Sequence, residues 1–547
     1  MKRLVTASFA ILLFIVGPAA AAIINVPGDY AQIHDAVQAA NAGDTVMVAA
    51  GTYTDCTHET EGPGSTTACV IMKDGVTLMG AGADLTIIDA QGLGRGIFIE
   101  DTDDVTISGL QVRGTYAEIF GAGILIRQGS TGIAVQDCVI RDTGDGGIVV
   151  INQSGASLDN VQFLSNEAKQ GGGLAVEEQS TATIANCLFD ANTAPSGAGI
   201  FIRSGCTVTI TASTFTGNAV NADFGNGGGV CVQDSACDIS GCEFIGNTTR
   251  GAGGGLAYIS GATGTVEDCL IQGNSTQASY NYGAGITCQQ SAPTLRNLVI
   301  VDNHATSTGS DAGGIDIQFA PSPLVENCTL VGNSCSGDGL AGGILVQFFA
   351  APTISNCIVA DSPVGAGIAC LLAEDGTISG CDLWNNAGGD DVCGQDAGCN
   401  FSADPLFCNA ADGNYHIALG SPCAAGNHPD GGGCGATFAG AYAAGCGTPV
   451  GDLPRAGITL GNAPNPFNPM TTLFFVLDQP GDAVIRIHDV RGHLLRTYQR
   501  TGLAADTRYE ITWNGRDQAG RELPSGVYLY QLDSRGTTAT KRMSLIR

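Results

Sequence analysis

Basic residues are scarce in this 547-residue chain: 23 Lys and Arg stand against 52 Asp and Glu, a formal net charge of −29 at pH 7. The deficit is local. Residues 23–457 hold 10 basic and 44 acidic residues, whereas 458–547 hold 11 basic and 8 acidic ones. No Lys or Arg occurs from Asn297 to Pro454. A surface so short of cations repels polyphosphates, which excludes nucleic acid as a partner. Long apolar runs are missing too. The longest, Leu4–Val16, follows Lys2 and Arg3 and precedes Gly17, Pro18 and the small tract Ala19–Ala22. That pattern is an export signal over residues 1–22, too short to span a membrane. No transmembrane segment is expected after it is removed, so the mature chain belongs outside the cell or on its surface. Aromatic residues make up 6% of the chain, and the seven histidines (His34, His58, His304, His416, His428, His488 and His493) fall off the recurrent strand read below.

Glycine is abundant instead, at 80 residues, and it is spaced. Anchors at Gly96, Gly123, Gly147, Gly173, Gly199, Gly229, Gly255, Gly285, Gly314, Gly343 and Gly367 stand 24 to 30 residues apart. Nineteen residues past them come Asn166, Asn192, Asn218, Asn274, Asn333 and Asn386, with Asn247 and Asn303 one step earlier. A period in this range means a solenoid, each repeat being one coil that buries its apolar face against its neighbours. After each anchor the residues alternate: Leu174 and Val176 against Ala175 and Glu177, Ile315 and Ile317 against Asp316 and Gln318. This is the period of a strand with one buried face. No helical stripe recurs. The predicted fold is an all-β, right-handed parallel β-helix of about a dozen coils, with the asparagines expected at turns that tolerate left-handed backbone. Residues Tyr30–Ala40 carry apolar positions at helical spacing (Ile33, Val37, Ala40) and predict a capping helix.

Cysteine divides by position. Cys138, Cys187, Cys242, Cys269, Cys328, Cys357 and Cys381 share one offset in the repeat and read as small hydrophobes filling a narrow interior. Cys56 and Cys69, and the group Cys393, Cys399, Cys408, Cys423, Cys434 and Cys446, read as disulfides of an exported chain.

The opening phrases Gly43-Asp44-Thr45-Val46 and Gly51-Thr52-Tyr53, and the closing ones Asp404-Pro405-Leu406-Phe407, Tyr415-His416-Ile417 and Ser421-Pro422-Cys423, resemble exported bacterial pectin-lyase-like β-helix repeat proteins. That resemblance covers residues 23–446. After a linker at 447–457, residues 458–547 hold alternating runs broken by turn pairs, which predict a small β-sandwich. Its phrases Asn465-Pro466-Phe467-Asn468-Pro469, Asp489-Val490-Arg491-Gly492, Trp513-Asn514-Gly515-Arg516-Asp517 and Ser525-Gly526-Val527-Tyr528 resemble the immunoglobulin-like domain related to the flagellar hook-capping protein. They are also similar to sorting domains of the type IX secretion route, which implies secretion machinery as a partner of this domain.

Chemistry is sparser than scaffold. The first resemblance implies polysaccharide-cleaving relatives, but the recurrent strand face shows none of the Asn-x-Asp, Asp-Asp, Gly-His-Gly and Arg-x-Lys phrases of a polygalacturonase-type hydrolase. The best catalytic cluster is Glu177, Arg203 and Asp234, two carboxylates two coils apart with a cation on the coil between them. Two coils at ~4.8 Å each put those carboxylates about 10 Å apart, near the separation of an inverting glycosidase. A glycan-binding face is the other candidate: Gln233, Gln289, Gln318 and Gln347 recur four residues past their anchors or nearly so, with Phe319, Phe348 and Phe349 beside them. Stacked amides would offer regular donors and acceptors, and the rings would meet sugars. The acidic balance suits calcium as a cofactor, although no metal-ligand spacing fixes a site. Two functions follow: an adhesin-like or carbohydrate-binding structural module contacting an extracellular polysaccharide or cell-surface glycan, or a glycoside hydrolase or polysaccharide lyase working on the strand face.

Overall fold

The computed structural model describes residues 21–60, 66–116, 121–277, 282–306, 311–320, 322–336, 339–373, 376–431, 434, 437–446, 459–463, 469–477, 480–489, 493–504, 509–524, 526–535 and 537–545. Nearly all of the expected export segment, the expected linker 447–457, and the motif residues Asn465–Asn468, Val490–Gly492 and Ser525 lie outside the described residues.

Among the described residues, three sheets run the length of the repeat region, with 15, 13 and 13 strands, parallel except for the antiparallel pair His58–Glu59 and Thr67–Ile71 at the start of the third, and a fourth of six short strands joins the middle coils. Together they form a right-handed β-solenoid of about 11 turns. Each coil contributes in order to the first, second and third sheets; the coil from Thr207 gives Thr207–Thr211, Thr214–Thr216, Ala219–Val220 and Val230–Gln233. The Ala219–Val220 stretch belongs to the short fourth sheet. The register is continuous, so each side chain repeats as a column along the axis. The outward column Thr45, Thr77, Thr106, Ala134, Ser157, Thr183, Thr209 of the first sheet is an example. Its β-branched hydroxyl residues suit a pleated surface facing water. Anchor glycines allow successive coils to close up: a Cβ at Gly173 would lie 2.7 Å from both the Gly199 carbonyl and the Phe189 ring.

Inside, like stacks on like. Phe163, Phe189, Phe215 and Phe244 lie face to face with centroids 4.5–4.7 Å apart. The asparagines form a second internal ladder. Asn218 Oδ1 accepts from the Asn192 amide nitrogen and from its Nδ2 (3.0 and 2.9 Å), while Asn218 Nδ2 donates to Phe189 O and Asn247 Oδ1 (both 2.9 Å). The pattern runs unbroken from Asn166 to Asn333. These residues do not have left-handed backbone, contrary to the sequence-based expectation. The left-handed positions are neighbouring columns, such as Asn160, Asn186, Asn297, Asn327 and Asn356 at the turn after the first sheet. A buried amide fully used by its neighbours has no need of an unusual backbone, and the turns have their own short polar residues. The cysteine column is buried and reduced as expected, and burial pushes the Cys138 and Cys187 thiols up to about 12.

The expected N-terminal helix is present at Ile33–Ala39, packing Ile33, Ala36 and Val37 into the core. At the other end the chain does not simply stop the solenoid. Residues beyond Asp404 fold back along the outside of the second sheet, where Phe407, Tyr415 and Tyr442 pack on Leu270, Val299, Val301 and Val331. Ile417, Cys423, Ala424 and Ala439 cover Ile358 and Ala360. Disulfides join Cys56–Cys69, Cys370–Cys393, Cys399–Cys434 and Cys408–Cys446. Cys423 departs from expectation: it is a free, buried thiol hydrogen-bonded to Asp382 Oδ2 at 3.0 Å. Its place in the tail is taken by Cys370, which a strand-based reading could not distinguish from the internal thiols.

The C-terminal region forms a 3-stranded and a 4-stranded antiparallel sheet around Trp513, Phe475, Ile485, Ile487, Tyr530 and Leu532. Its core is separate from that of the solenoid.

Candidate functional site

The third sheet carries the anchors and the predicted site residues. Glu177 and Arg203 are register partners on adjacent strands. Arg203 donates to Glu177 Oε2 through Nε (3.0 Å) and Nη2 (2.7 Å), and its guanidinium lies 5.6 Å from the Phe201 centroid. Arg203 therefore neutralises an adjacent buried acid. Asp234 is not on this face. The register partner of Arg203 is Gln233, and Asp234 lies one residue on, exposed, with φ 46°. The structure thus brings Glu177 and Arg203 together and sets Asp234 in the turn beyond.

The glutamines also divide. Gln289, Gln318 and Gln347 share one register. Gln233 and Gln289 are half-buried, whereas Gln318 and Gln347 are buried and do not stack amide on amide. Gln318 Nε2 donates to Asp316 Oδ2 (2.8 Å) and Gln347 Nε2 to Asp316 Oδ1 (2.7 Å). Asp316 is wholly buried, and this desolvation pushes its carboxyl up to about 7 despite the two amides. Gln347 Oε1 is buried with no partner among the described residues.

The turn that follows this sheet is the most informative place. In register order it carries Gln128, Asn152, Glu178, Ser204, Asp234, Ser260, Gln290, Phe319, Phe348 and Leu372. All ten have left-handed backbone, with φ between 46° and 65°. The first seven are polar and suit that geometry. The last three are bulky and apolar, and Phe349, next in the chain, has φ 64° as well. A large side chain in this conformation costs of order 1–2 kcal/mol. The rings of Phe319 and Phe348 nevertheless stack at 5.1 Å. Phe319, Phe349 and Leu372 nonetheless remain 46%, 63% and 68% exposed, so burial offsets the strain only in part. Phe319 and Phe348 were visible in the sequence; their shared strain with Leu372 was not.

Sequence reasoning missed other groups. Arg95 sits on Arg95–Glu100 and is wholly buried, donating to Thr60 Oγ1 (2.7 Å) with its guanidinium 5.1 Å from the Phe98 centroid. His304 lies off the recurrent strand, on the short His304–Ala305 of the fourth sheet, with Nδ1 2.6 Å from Ser334 Oγ. Neither has a periodic signature, since each occurs once. Among the described residues, no group of three or more His, Cys, Asp or Glu is placed to hold a metal ion. No helix among them is long and apolar enough to cross a membrane.

Comparison with known proteins agrees with the architecture. The profile of the right-handed β-helix region family matches residues 74–244 and 229–404. The chain belongs to that family. No curated protein sequence matches it. Among solved structures, dimeric latent PorU from Porphyromonas gingivalis is 23% identical over 16% of this chain and 9% of its own, with a TM-score of 0.15. PorZ, a surface component of the type-IX secretion system of the same organism, is 29% identical over 16% of this chain and 11% of its own, with a TM-score of 0.13. The chain thus spans about a tenth of the length of either. The PL6 family alginate lyase AlyGC is 16% identical over 71% of this chain and 54% of its own, with a TM-score of 0.47.

Proposed function

We propose that this is an exported β-helix protein that binds a glycan along the turn column of its third sheet, as a structural or adhesin-like module delivered by its C-terminal domain. One observation carries the reading. Three consecutive coils replace polar residues by Phe319, Phe348 and Leu372 at left-handed positions, Phe319 and Leu372 exposed and Phe348 half-buried. Backbone strain kept at an exposed edge is a mark of function. Flat apolar rings on a polar edge suit sugars, which present apolar faces and hydroxyl rims. Four disulfides and the N-terminal apolar run fit an oxidising destination. The motifs of residues 458–547 supply the address.

Turnover is the competing reading, and one experiment separates the two. The full-length protein, Phe319→Ser/Phe349→Ser and Glu177→Ala are incubated with a polysaccharide panel, and both retention and products are measured. Retention without products, lost in the phenylalanine variant and kept in Glu177→Ala, is expected. Product formation abolished by Glu177→Ala overturns it. Secretion of a chain lacking 458–547 to the same destination would remove the sorting role.

A further inference from the structure

Resting on that reading of the turn column, we propose that its ligand is an amino-sugar glycan, one whose rings carry ammonium groups. The column offers two kinds of contact in sequence along the axis. Phe319, Phe348, Phe349 and Leu372 form the apolar step. Upstream in the same column stand the exposed carboxylates of Glu178 and Asp234. Asp234 is three coils from Phe319, and at ~4.8 Å per coil that is about 14 Å, a distance a short oligosaccharide lying along the axis can span. Ser260 and Gln290 fill the interval with hydroxyl and amide groups.

The surrounding charge selects the sign of the ligand. From Asn297 to Pro454 there are 16 Asp and Glu and no Lys or Arg. The basic residue in register with this part of the sheet, Arg203, is held by Glu177 at 2.7 Å. A uronate or sulfated glycan would meet a repulsive field, with the Arg203 guanidinium already paired. An uncharged glycan would gain from the rings alone. A glucosamine unit gains twice, because its ring face stacks on phenylalanine and its ammonium is attracted both by the aromatic face and by the carboxylates.

The test is calorimetric titration of the full-length mature protein with four probes at low ionic strength: a glucosamine hexamer, its N-acetylated form, a uronic acid hexamer, and spermine as a cation that is not a sugar. The glucosamine hexamer should bind about tenfold more tightly than the N-acetylated form, a difference of about 1.4 kcal/mol, and should weaken as salt is added. Asp234→Asn should reduce that preference and leave binding of the N-acetylated hexamer unchanged. Phe319→Ser should weaken both hexamers and leave spermine unaffected. Equal binding of the two hexamers, or uronate binding as tight, overturns the amino-sugar assignment while leaving glycan binding in place. Insensitivity of the glucosamine hexamer to Phe319→Ser also overturns it, by reducing the attraction to that of any polycation. Failure of every hexamer to bind overturns the glycan reading itself.

Discussion

Gln347 donates its side-chain amide to Asp316 Oδ1 at 2.7 Å from the adjacent coil, and Gln318 holds the other carboxylate oxygen at 2.8 Å. This buried carboxyl is therefore solvated by two amides and by no cation. Burial holds it near 7 where an exposed aspartate stands at 3.8. Between those values the folded chain keeps a proton that the unfolded chain releases. The contribution to stability is full below about pH 4 and lost as pH rises through about 7. Thermal midpoints followed across that window should fall more steeply for the wild type than for Asp316→Asn. Parallel profiles would show that Asp316 ionises in both states alike.

The asparagine ladder makes a sharper stability prediction. Asn218→Ala removes two acceptor contacts to Asn192 and the donor contact to the Phe189 carbonyl, leaving buried polar groups of the preceding coil short of partners, while Asn247 Oδ1 keeps the Asn218 backbone N–H. At about 1–3 kcal/mol per unsatisfied group, partly relieved by relaxation, a loss of about 3 kcal/mol is expected in denaturant melts. Asn218→Asp should be worse, since a carboxylate oxygen then faces the Phe189 carbonyl and Asn247 Oδ1. A loss below 1 kcal/mol for both would mean that the column is filler.

Thirteen cysteines are free and buried, and eight are paired. Alkylation of the native protein followed by mass spectrometry should label none of the thirteen. In denaturant without reductant it should label all thirteen. Fewer labels would reveal coil-to-coil disulfides in the thiol column.

Phe319 separates binding from packing in a single residue. Asparagine tolerates left-handed backbone and phenylalanine does not, so Phe319→Asn should raise stability by up to about 1 kcal/mol while abolishing glycan retention. A packing role predicts the opposite sign in the melt.

The coil, its strand faces and its internal columns were legible because each recurs, so one misread residue is outvoted by ten neighbours. Asp316 was not. Alternation points it outward like any surface aspartate, and its burial comes from chain outside the strand period. Asp234 was misplaced by a single residue, enough to move it from the strand face to the turn. Cys423 looked like its five companions in the tail, and only the fold-back of that tail on Ile358 and Ala360 shows why it stays a thiol.

That fold-back also decides how the molecule carries load. Chain beyond Cys446 leaves from a segment clamped to the flank of the solenoid, over strands from Leu270 to Ala360, and cross-linked to Cys408. Were the C-terminal region tethered, tension would therefore enter broadside, shared in shear across several coils. The last coil would not be peeled from the stack as the free end of a spring is.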